Sequence, residues 1–246
     1  HYPDTLPPTL DIGIGSPTGV KFGTKSHFPP KYQRALFAMD WSYGRLFAVH
    51  LTPKGSTYTA TYEEFLQGKP LNVTDLEFGN DGAMYFLTGG RGTQSGLYRV
   101  SYAGQAASPS SAEETSAVSK AAAEARLLRR KLEAFHGRKD PAAVDFVWPH
   151  LNSDDRWIRY AARIAIESQE PSQWQSRALA EERVNASLTA LLALARVGNP
   201  SLLEDWLDAL GRLQPDQLDE AQKLEALRAL SLAFIRMGKP GSETVE

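Results

Sequence analysis

Short runs rich in apolar, β-branched and aromatic residues alternate with Gly-rich turns over residues 1–103, and this pattern predicts short β-strands. The runs repeat: residues 18–23 recur at 74–79, 56 positions later. Two further pairs follow in the same order, 35–39 with 83–87 and 46–49 with 97–100. Three or four short strands per repeat are typical of a β-propeller blade, with the outer strand of the first copy at 58–65.

The apolar period changes from 2 to 3.6 at about residue 115, which predicts an all-helical second half. Residues 193–200 recur at 233–240, a shift of 40 that is typical of HEAT or armadillo helix pairs. Asp140 and Asn199 precede prolines where helices should begin, and Gly198 lies where one should end. The predicted helices cover residues 120–137, 141–151, 154–169, 172–182, 185–198, 201–213 and 217–237.

These patterns predict a multidomain β + α chain, a partial β-propeller followed by an α-solenoid of HEAT-like repeats. The last two propeller blades are expected at 1–103, a small and polar linker at 104–114, and the helical repeats at 115–246. Two blades cannot close a ring, since propellers need about four to eight. The chain also opens on His1, so we expect it to be an internal piece of a longer protein.

Charge and cysteine content narrow the partners and cofactors. Because 27 basic and 29 acidic residues leave a net charge of −2, electrostatics give no reason to expect nucleic acid or an anionic membrane as partner. No apolar run approaches the ~18 residues of a transmembrane helix. The absence of cysteine excludes disulfides, thiolate metal sites and covalent haem attachment within these residues, and no histidines occur at metal-ligand spacing. We therefore expect neither a metal site nor a cofactor bound within this segment.

Two loops on the predicted propeller rim, residues 40–45 and 88–96, carry the polar clusters best suited to ligand binding. A guanidinium can clamp a carboxylate or a quinone oxygen, side-chain amides and hydroxyls can donate hydrogen bonds, and a carboxylate can act as a base or bind a hard cation. The same residues also suit turn capping, loop bracing and packing between blades. The candidate ligand-binding residues are Asp40, Tyr43, Asp75, Arg91, Thr93 and Gln94.

Several motifs carry a resemblance to a known family: residues 15–20, the loop 40–45, and residues 81–86 and 90–100, with the helical stretches 132–137 and 159–163. They resemble large multidomain proteins of planctomycete and verrucomicrobial bacteria that are described as membrane-bound dehydrogenases. In that family a propeller similar to glucose/sorbosone dehydrogenases precedes HEAT repeats and a c-type haem domain. The resemblance implies a periplasmic or extracellular oxidoreductase with a sugar or alcohol substrate, pyrroloquinoline quinone and haem c in the full-length protein, and an electron-accepting cytochrome domain.

The leading hypothesis is therefore a fragment of a quinone- or haem-linked sugar or alcohol dehydrogenase. Its propeller rim would contribute to the substrate and cofactor pocket, its helices would space the haem domain, and the segment alone would be inactive. The alternative is a non-catalytic scaffold whose rim binds a glycan or a protein and whose helices recruit a partner. No catalytic residue of the quinone enzymes can be assigned to a matching position in this sequence.

Overall fold

The computed structural model of the protein describes residues 2–104 and 117–239. Within these residues the chain forms two small antiparallel sheets and eight α-helices, joined by short 3₁₀ helices. Two compact units can be distinguished. The described part of the sheet unit comprises residues 8–54, 58–104 and 117–119, and the described part of the helical unit comprises residues 2–7, 55–57 and 120–239.

The first sheet is a four-stranded antiparallel meander in the order β1-β2-β3-β4. Its strands are β1 (Pro17–Phe22), β2 (Leu36–Asp40), β3 (Arg45–Lys54) and β4 (Thr57–Gln67). A short helix, α1 (Pro30–Gln33), lies between β1 and β2. The pairing of Asp40 with Arg45 ends the β2–β3 ladder at a tight turn, which holds one of the two loops that the sequence singles out.

The second sheet is a three-stranded meander in the order β5-β6-β7. Its strands are β5 (Val73–Phe78), β6 (Met84–Gly90) and β7 (Thr93–Val100). Pairing of Gly90 with Thr93 closes the β6–β7 hairpin. The Asp81–Gly82 turn joins β5 to β6, and Gly82 has the positive φ of 69° that favours glycine there.

Both sheets bury their apolar faces in one shared core. Phe37 of β2 lies with its ring centroid 5.0 Å from Phe65 of β4 and 5.6 Å from Phe78 of β5. Phe28, from the segment between β1 and β2, contacts the same aromatic cluster. A small antiparallel sheet has one apolar face, and here the apolar face of each sheet packs against that of the other.

Each segment in which the apolar period predicts a helix contains most or all of one α-helix. Its α-helices are α2 (Ala117–Glu133), α3 (Ala143–Val147), α4 (Arg156–Glu167), α5 (Gln175–Leu179), α6 (Val184–Val197), α7 (Leu203–Gly211) and α8 (Glu220–Arg236). Asn199 caps the 3₁₀ turn before α7 by accepting from Ser201 N, whereas Asp140 accepts from Ala142 N in the turn before α3, whose N-cap residue is Ala142. Gly198 is the C-terminal cap residue of α6.

Helix α6 is the centre of the helical core. Every residue from 186 to 195 is buried, and α4, α5, α7 and α8 all contact this helix. Trp206 of α7 is fully buried and donates its indole N–H to Leu191 O at 2.8 Å. The buried part of α6 consists mostly of Leu and Ala on every side of the helix. A helix of this kind is stable only where other elements cover it all round.

The predicted fold class, a partial β-propeller followed by an α-solenoid of HEAT-like repeats, is wrong. The described residues form an α+β fold of two small sheets and eight helices, with no closed propeller or barrel among them. The strand repeat is real, but its two meanders pack against each other around one core. Among the helices, α6 contacts α4, α5, α7 and α8, which are its neighbours along the chain.

The linker predicted at 104–114 and the start of the helical region at 115 lie outside the described residues, except for residue 104. The helical unit also includes residues 1–7, which the sequence assigns to the blades. The domain boundaries 1–103 and 115–246 stay predictions.

Leu191 in α6 is the position at which we expect core truncation to cost most. Leu191→Ala removes a fully buried side chain and should lower the free energy of unfolding by about 2–5 kcal/mol, measured by urea denaturation followed by far-ultraviolet circular dichroism. The matched control is Leu224→Ala in α8, because Leu224 is 56% exposed. Equal losses in the two variants would contradict the central role of α6.

Candidate functional site

An open cleft of about 710 Å³ lies in the sheet unit, beside the β2–β3 and β6–β7 turns and the start of β1. Its volume falls within the ~300–1,000 Å³ that is usual for small-molecule sites. Trp41 and Arg91 line it together with Leu87, Gly89 and Gly90. The other lining residues all carry a side-chain hydroxyl: Ser16, Thr18, Ser42, Thr74, Thr88 and Ser95.

Trp41 is fixed in the cleft wall by contacts with both sheets. Its indole N–H donates to Gly89 O at 2.8 Å, and its backbone N–H donates to Ser16 O at 2.9 Å. The Asn72 side-chain amide donates to Trp41 O at 3.0 Å. The ring packs closely on Gly90, where an added Cβ would lie 3.4 Å from the indole. These contacts make Trp41 a rigid part of the site before any ligand arrives.

The turn after β6 places a cation beside Trp41. Gly90, Arg91 and Gly92 have φ values of 104°, 49° and 81°, and Arg91 is the one non-glycine residue with positive φ among the described residues. Flanking glycines adopt this left-handed region without penalty, whereas arginine does so rarely. The exposed Arg91 guanidinium lies 5.7 Å from the centroid of the Trp41 ring, within the range of a cation–π interaction.

Two of the hydroxyls that line the cleft direct their hydrogens to backbone carbonyls. Thr18 Oγ1 donates to Val73 O at 2.8 Å, and Thr74 Oγ1 donates to Leu87 O at 3.2 Å. The hydroxyl oxygens of Ser16 and Ser42 lie 2.7 Å apart. Since a hydroxyl has one hydrogen and two lone pairs, the two threonines keep acceptor capacity for a ligand that donates.

Asp40, a predicted site residue, lies beneath the cleft rather than in its lining. Its side chain is fully buried, and it accepts from Ser16 N at 2.8 Å, from Ser42 N at 3.1 Å and from Arg45 Nε at 2.9 Å. Burial alone would raise the pKa of Asp40, but the hydrogen bonds from Ser16 and Arg45 outweigh it, and the pKa lies below its usual range. The carboxylate therefore stays ionised and holds two hydroxyl-bearing residues in place.

Two other predicted residues have local contacts outside the cleft lining. The ring of Tyr43 is 44% exposed, and the Arg45 guanidinium lies 4.8 Å from its centroid. The exposed Asp75 side chain accepts from the N–H of the next residue, Leu76, at 2.8 Å.

Among the three candidates from residues 88–96, Arg91 lines the cleft. Thr93 begins β7 and pairs with Gly90 through the backbone, but its side chain lies outside what the structure describes. Gln94 is exposed on the same strand. The structure thus brings Arg91 to the cleft and Asp40 beneath it, and ligand binding by all six candidates stays a prediction.

Seven of the eleven lining residues fall in the two loops that the sequence predicts for ligand binding, 40–45 and 88–96, but only Arg91 is among the six candidate residues. Trp41 and the hydroxyl-bearing residues are not among the candidates. A signal for two of them is present, since Thr18 and Thr74 occupy the same position in the two copies of the strand repeat and both line the cleft. The hydroxyl-bearing residues lie on both sheets and come together only when the sheets pack. A local sequence pattern cannot predict that packing.

Comparison with known proteins gives no match: no family model, curated protein or solved structure matches this chain. Among residues 2–104 and 117–239, no three His, Asp or Glu side chains lie together as a metal site. In the same residues, no helix has the length and apolar character needed to cross a membrane.

Asp40→Asn should lower the free energy of unfolding by about 1.5–3 kcal/mol at pH 7, since it weakens hydrogen bonds to a buried charged group. The pKa of Asp40 is lower in the folded state than the ~3.9 of an unfolded chain, so the unfolded state binds more protons between the two values. The wild-type advantage should be full above about pH 5 and shrink as the pH falls below about 4. Urea denaturation at pH 7, 5, 4 and 3 measures it.

The control for Asp40→Asn is Asp11→Asn, an exposed carboxylate whose side chain accepts from Gly13 N in a local turn. Its unfolding free energy should change by less than about 0.5 kcal/mol at pH 7. A difference between wild type and Asp40→Asn that stays constant down to pH 3 would contradict the lowered pKa of Asp40.

Proposed function

We propose that the protein recognises a carbohydrate in the cleft of its sheet unit and acts there by binding rather than by catalysis. The observation that carries the proposal is the composition of the cleft: six hydroxyl-bearing residues around one fixed tryptophan and one arginine. A sugar offers many hydroxyl donors and an apolar ring face, and both features match this lining.

The direction of the hydrogen bonds made by the two cleft threonines favours a ligand that is rich in hydrogen-bond donors. Thr18 and Thr74 use their hydrogens on backbone carbonyls, so their free lone pairs accept from ligand hydroxyls. Trp41 lines the cleft, and the face of an aromatic ring has the negative potential on which the C–H groups of a sugar ring pack favourably. Arg91 adds donors suited to a ring oxygen, a hydroxyl or the carboxylate of an acidic sugar.

The state of Asp40 favours binding over proton transfer. Its carboxylate is enclosed by Ser16, Ser42 and Arg45, and its lowered pKa makes it a weak base. The role that follows is to preorganise the cleft wall. Preorganisation of this kind lowers the entropic cost of binding.

The dehydrogenase role, which the resemblance implies, stays a prediction, together with its sugar or alcohol substrate, cytochrome partner and periplasmic or extracellular location. The residues present do not fit haem c, because its covalent attachment needs cysteines and this chain has none. Pyrroloquinoline quinone carries several carboxylates, whereas Arg91 is the one cationic side chain in the described cleft lining. The described lining therefore offers one ion-pair partner for several negative charges.

Binding of neutral and acidic saccharides is measured by titration calorimetry and by tryptophan fluorescence, starting from a panel of mono- and oligosaccharides. For a saccharide that binds, Trp41→Phe should weaken the affinity roughly tenfold, since it removes the indole N–H bond to Gly89 and part of the stacking surface. Thr88→Val, which keeps the shape and removes one hydroxyl of the lining, should weaken it about two- to tenfold.

Arg91→Asn tests the cation, because asparagine tolerates the positive φ at this position better than most residues. It should weaken acidic saccharides more than neutral ones. Lys54→Asn is the matched control, since Lys54 is an exposed cation outside the cleft lining. Failure of every saccharide in the panel to bind, or equal affinities of wild type and the three cleft variants, would overturn the proposal.

A further inference from the structure

Residues 2–5 lie in a groove of the helical unit formed by α4, α6 and α8. The groove is lined by arginine side chains together with Tyr160, Thr189 and Leu192. Asp4 is 6% exposed, and only about 30 Å³ of the groove remains unfilled, enough for about one water molecule. Tyr2 to Thr5 form a turn that is closed by the hydrogen bond from Thr5 N to Tyr2 O at 3.1 Å, and this strap packs against helices that lie far away in the sequence.

The backbone of the strap is bound by two arginines of α4. Arg156 Nη2 donates to Pro3 O at 2.8 Å and to Thr5 O at 2.7 Å, and Arg163 Nη2 donates to Asp4 O at 2.9 Å. These contacts use carbonyls that every residue carries. They therefore recognise the backbone of this turn independently of its side chains.

One carboxylate is recognised specifically. Asp4 Oδ1 accepts from Arg228 Nε at 2.8 Å, and Asp4 Oδ2 lies 3.4 Å from Arg196 Nη1. The same Arg228 guanidinium stacks on the Tyr2 ring at 4.3 Å from its centroid. The groove thus selects an aromatic residue two positions before an aspartate.

The charge of the groove also fits an acidic occupant. Its helices contribute five guanidinium groups, of Arg156, Arg159, Arg163, Arg196 and Arg228. The carboxylates that the helices place against them are Glu167, next to Arg163 and Arg196, and Glu225, next to Arg159. The helical side of the groove therefore carries an excess of positive charge, which Asp4 partly neutralises.

We propose that this groove is a peptide-binding site for acidic turn segments of partner proteins, with an aromatic residue two positions before an aspartate, and that residues 2–5 occupy it in cis. Arg156 and Arg163 bind the backbone of the strap, and Arg228 binds both its carboxylate and its aromatic ring. Peptide-binding sites combine backbone and side-chain recognition in this way. A tethered segment has an effective concentration of about millimolar, so the strap competes with any partner segment that binds in trans. The proposal does not depend on carbohydrate binding in the sheet unit.

The test uses a fluorescein-labelled peptide of residues 1–7 and its Asp-to-Asn counterpart, with binding followed by fluorescence anisotropy. In the Asp4→Asn protein the strap is weakened, so this protein should bind the acidic peptide at least roughly tenfold more tightly than wild type does. Asp216→Asn, at an exposed position of the helical unit, should bind it as weakly as wild type. The Asn peptide should bind Asp4→Asn protein roughly tenfold more weakly than the acidic peptide.

A second variant locates the site. Arg228→Gln in the Asp4→Asn background should reduce peptide affinity roughly tenfold, whereas Arg138→Gln, at an exposed arginine outside the groove, should leave it unchanged. Equal binding of the two peptides, or no effect of Arg228→Gln, would overturn the proposal.

A measurement on wild type covers the case in which Asp4→Asn fails to fold. Nuclear magnetic resonance signals of Tyr2, Asp4 and Thr5 are followed while unlabelled peptide is raised to several times the ~millimolar effective concentration of the strap. The signals should move toward those of an unbound segment. Signals that stay in place throughout this titration would show that the strap is permanent structure and would overturn the proposal.

Discussion

The sheet unit depends on one constraint: each of its two small sheets has an apolar face that packs against the other. Phe37 of the first sheet and Phe78 of the second meet across this boundary at a centroid distance of 5.6 Å, and Phe65 of the first sheet lies 5.0 Å from Phe37. Met39 and Met84 are buried nearby. Burial of apolar surface stabilises both sheets. The same packing brings the β2–β3 turn beside the β6–β7 turn, which creates the cleft.

Fixed polar groups then shape what the core has brought together. The buried Asp40 holds Ser16 and Ser42, Trp41 joins its own loop to Gly89, and the Gly90–Gly92 turn presents Arg91. Asp40 supports the cleft wall from beneath, whereas Trp41 and Arg91 line the cleft itself. The helical unit uses the opposite arrangement, with an apolar centre in α6 and charge at the groove where residues 2–5 lie.

Local structure could be predicted from the sequence because its causes are local. Apolar period, Gly turns and caps such as Asn199 lie within a few residues of the strands and helices they define. The fold class could not be predicted, because strand repeats of this kind suit a ring of blades and a pair of packed sheets equally well. The hydroxyl lining and the contacts of Asp4 with Arg196 and Arg228 were missed for the same reason, since they join residues remote in sequence.

Carbohydrate binding in the cleft is tested most directly by locating the bound saccharide. Amide and indole N–H chemical shifts of the whole chain, recorded during titration with a saccharide from the panel, locate it in one measurement. Binding in the cleft predicts shift changes concentrated at the Trp41 indole N–H, at Gly89, Gly90 and Arg91, and at Thr18 and Thr74. Changes confined to residues outside the cleft, or no changes with any saccharide, would contradict it.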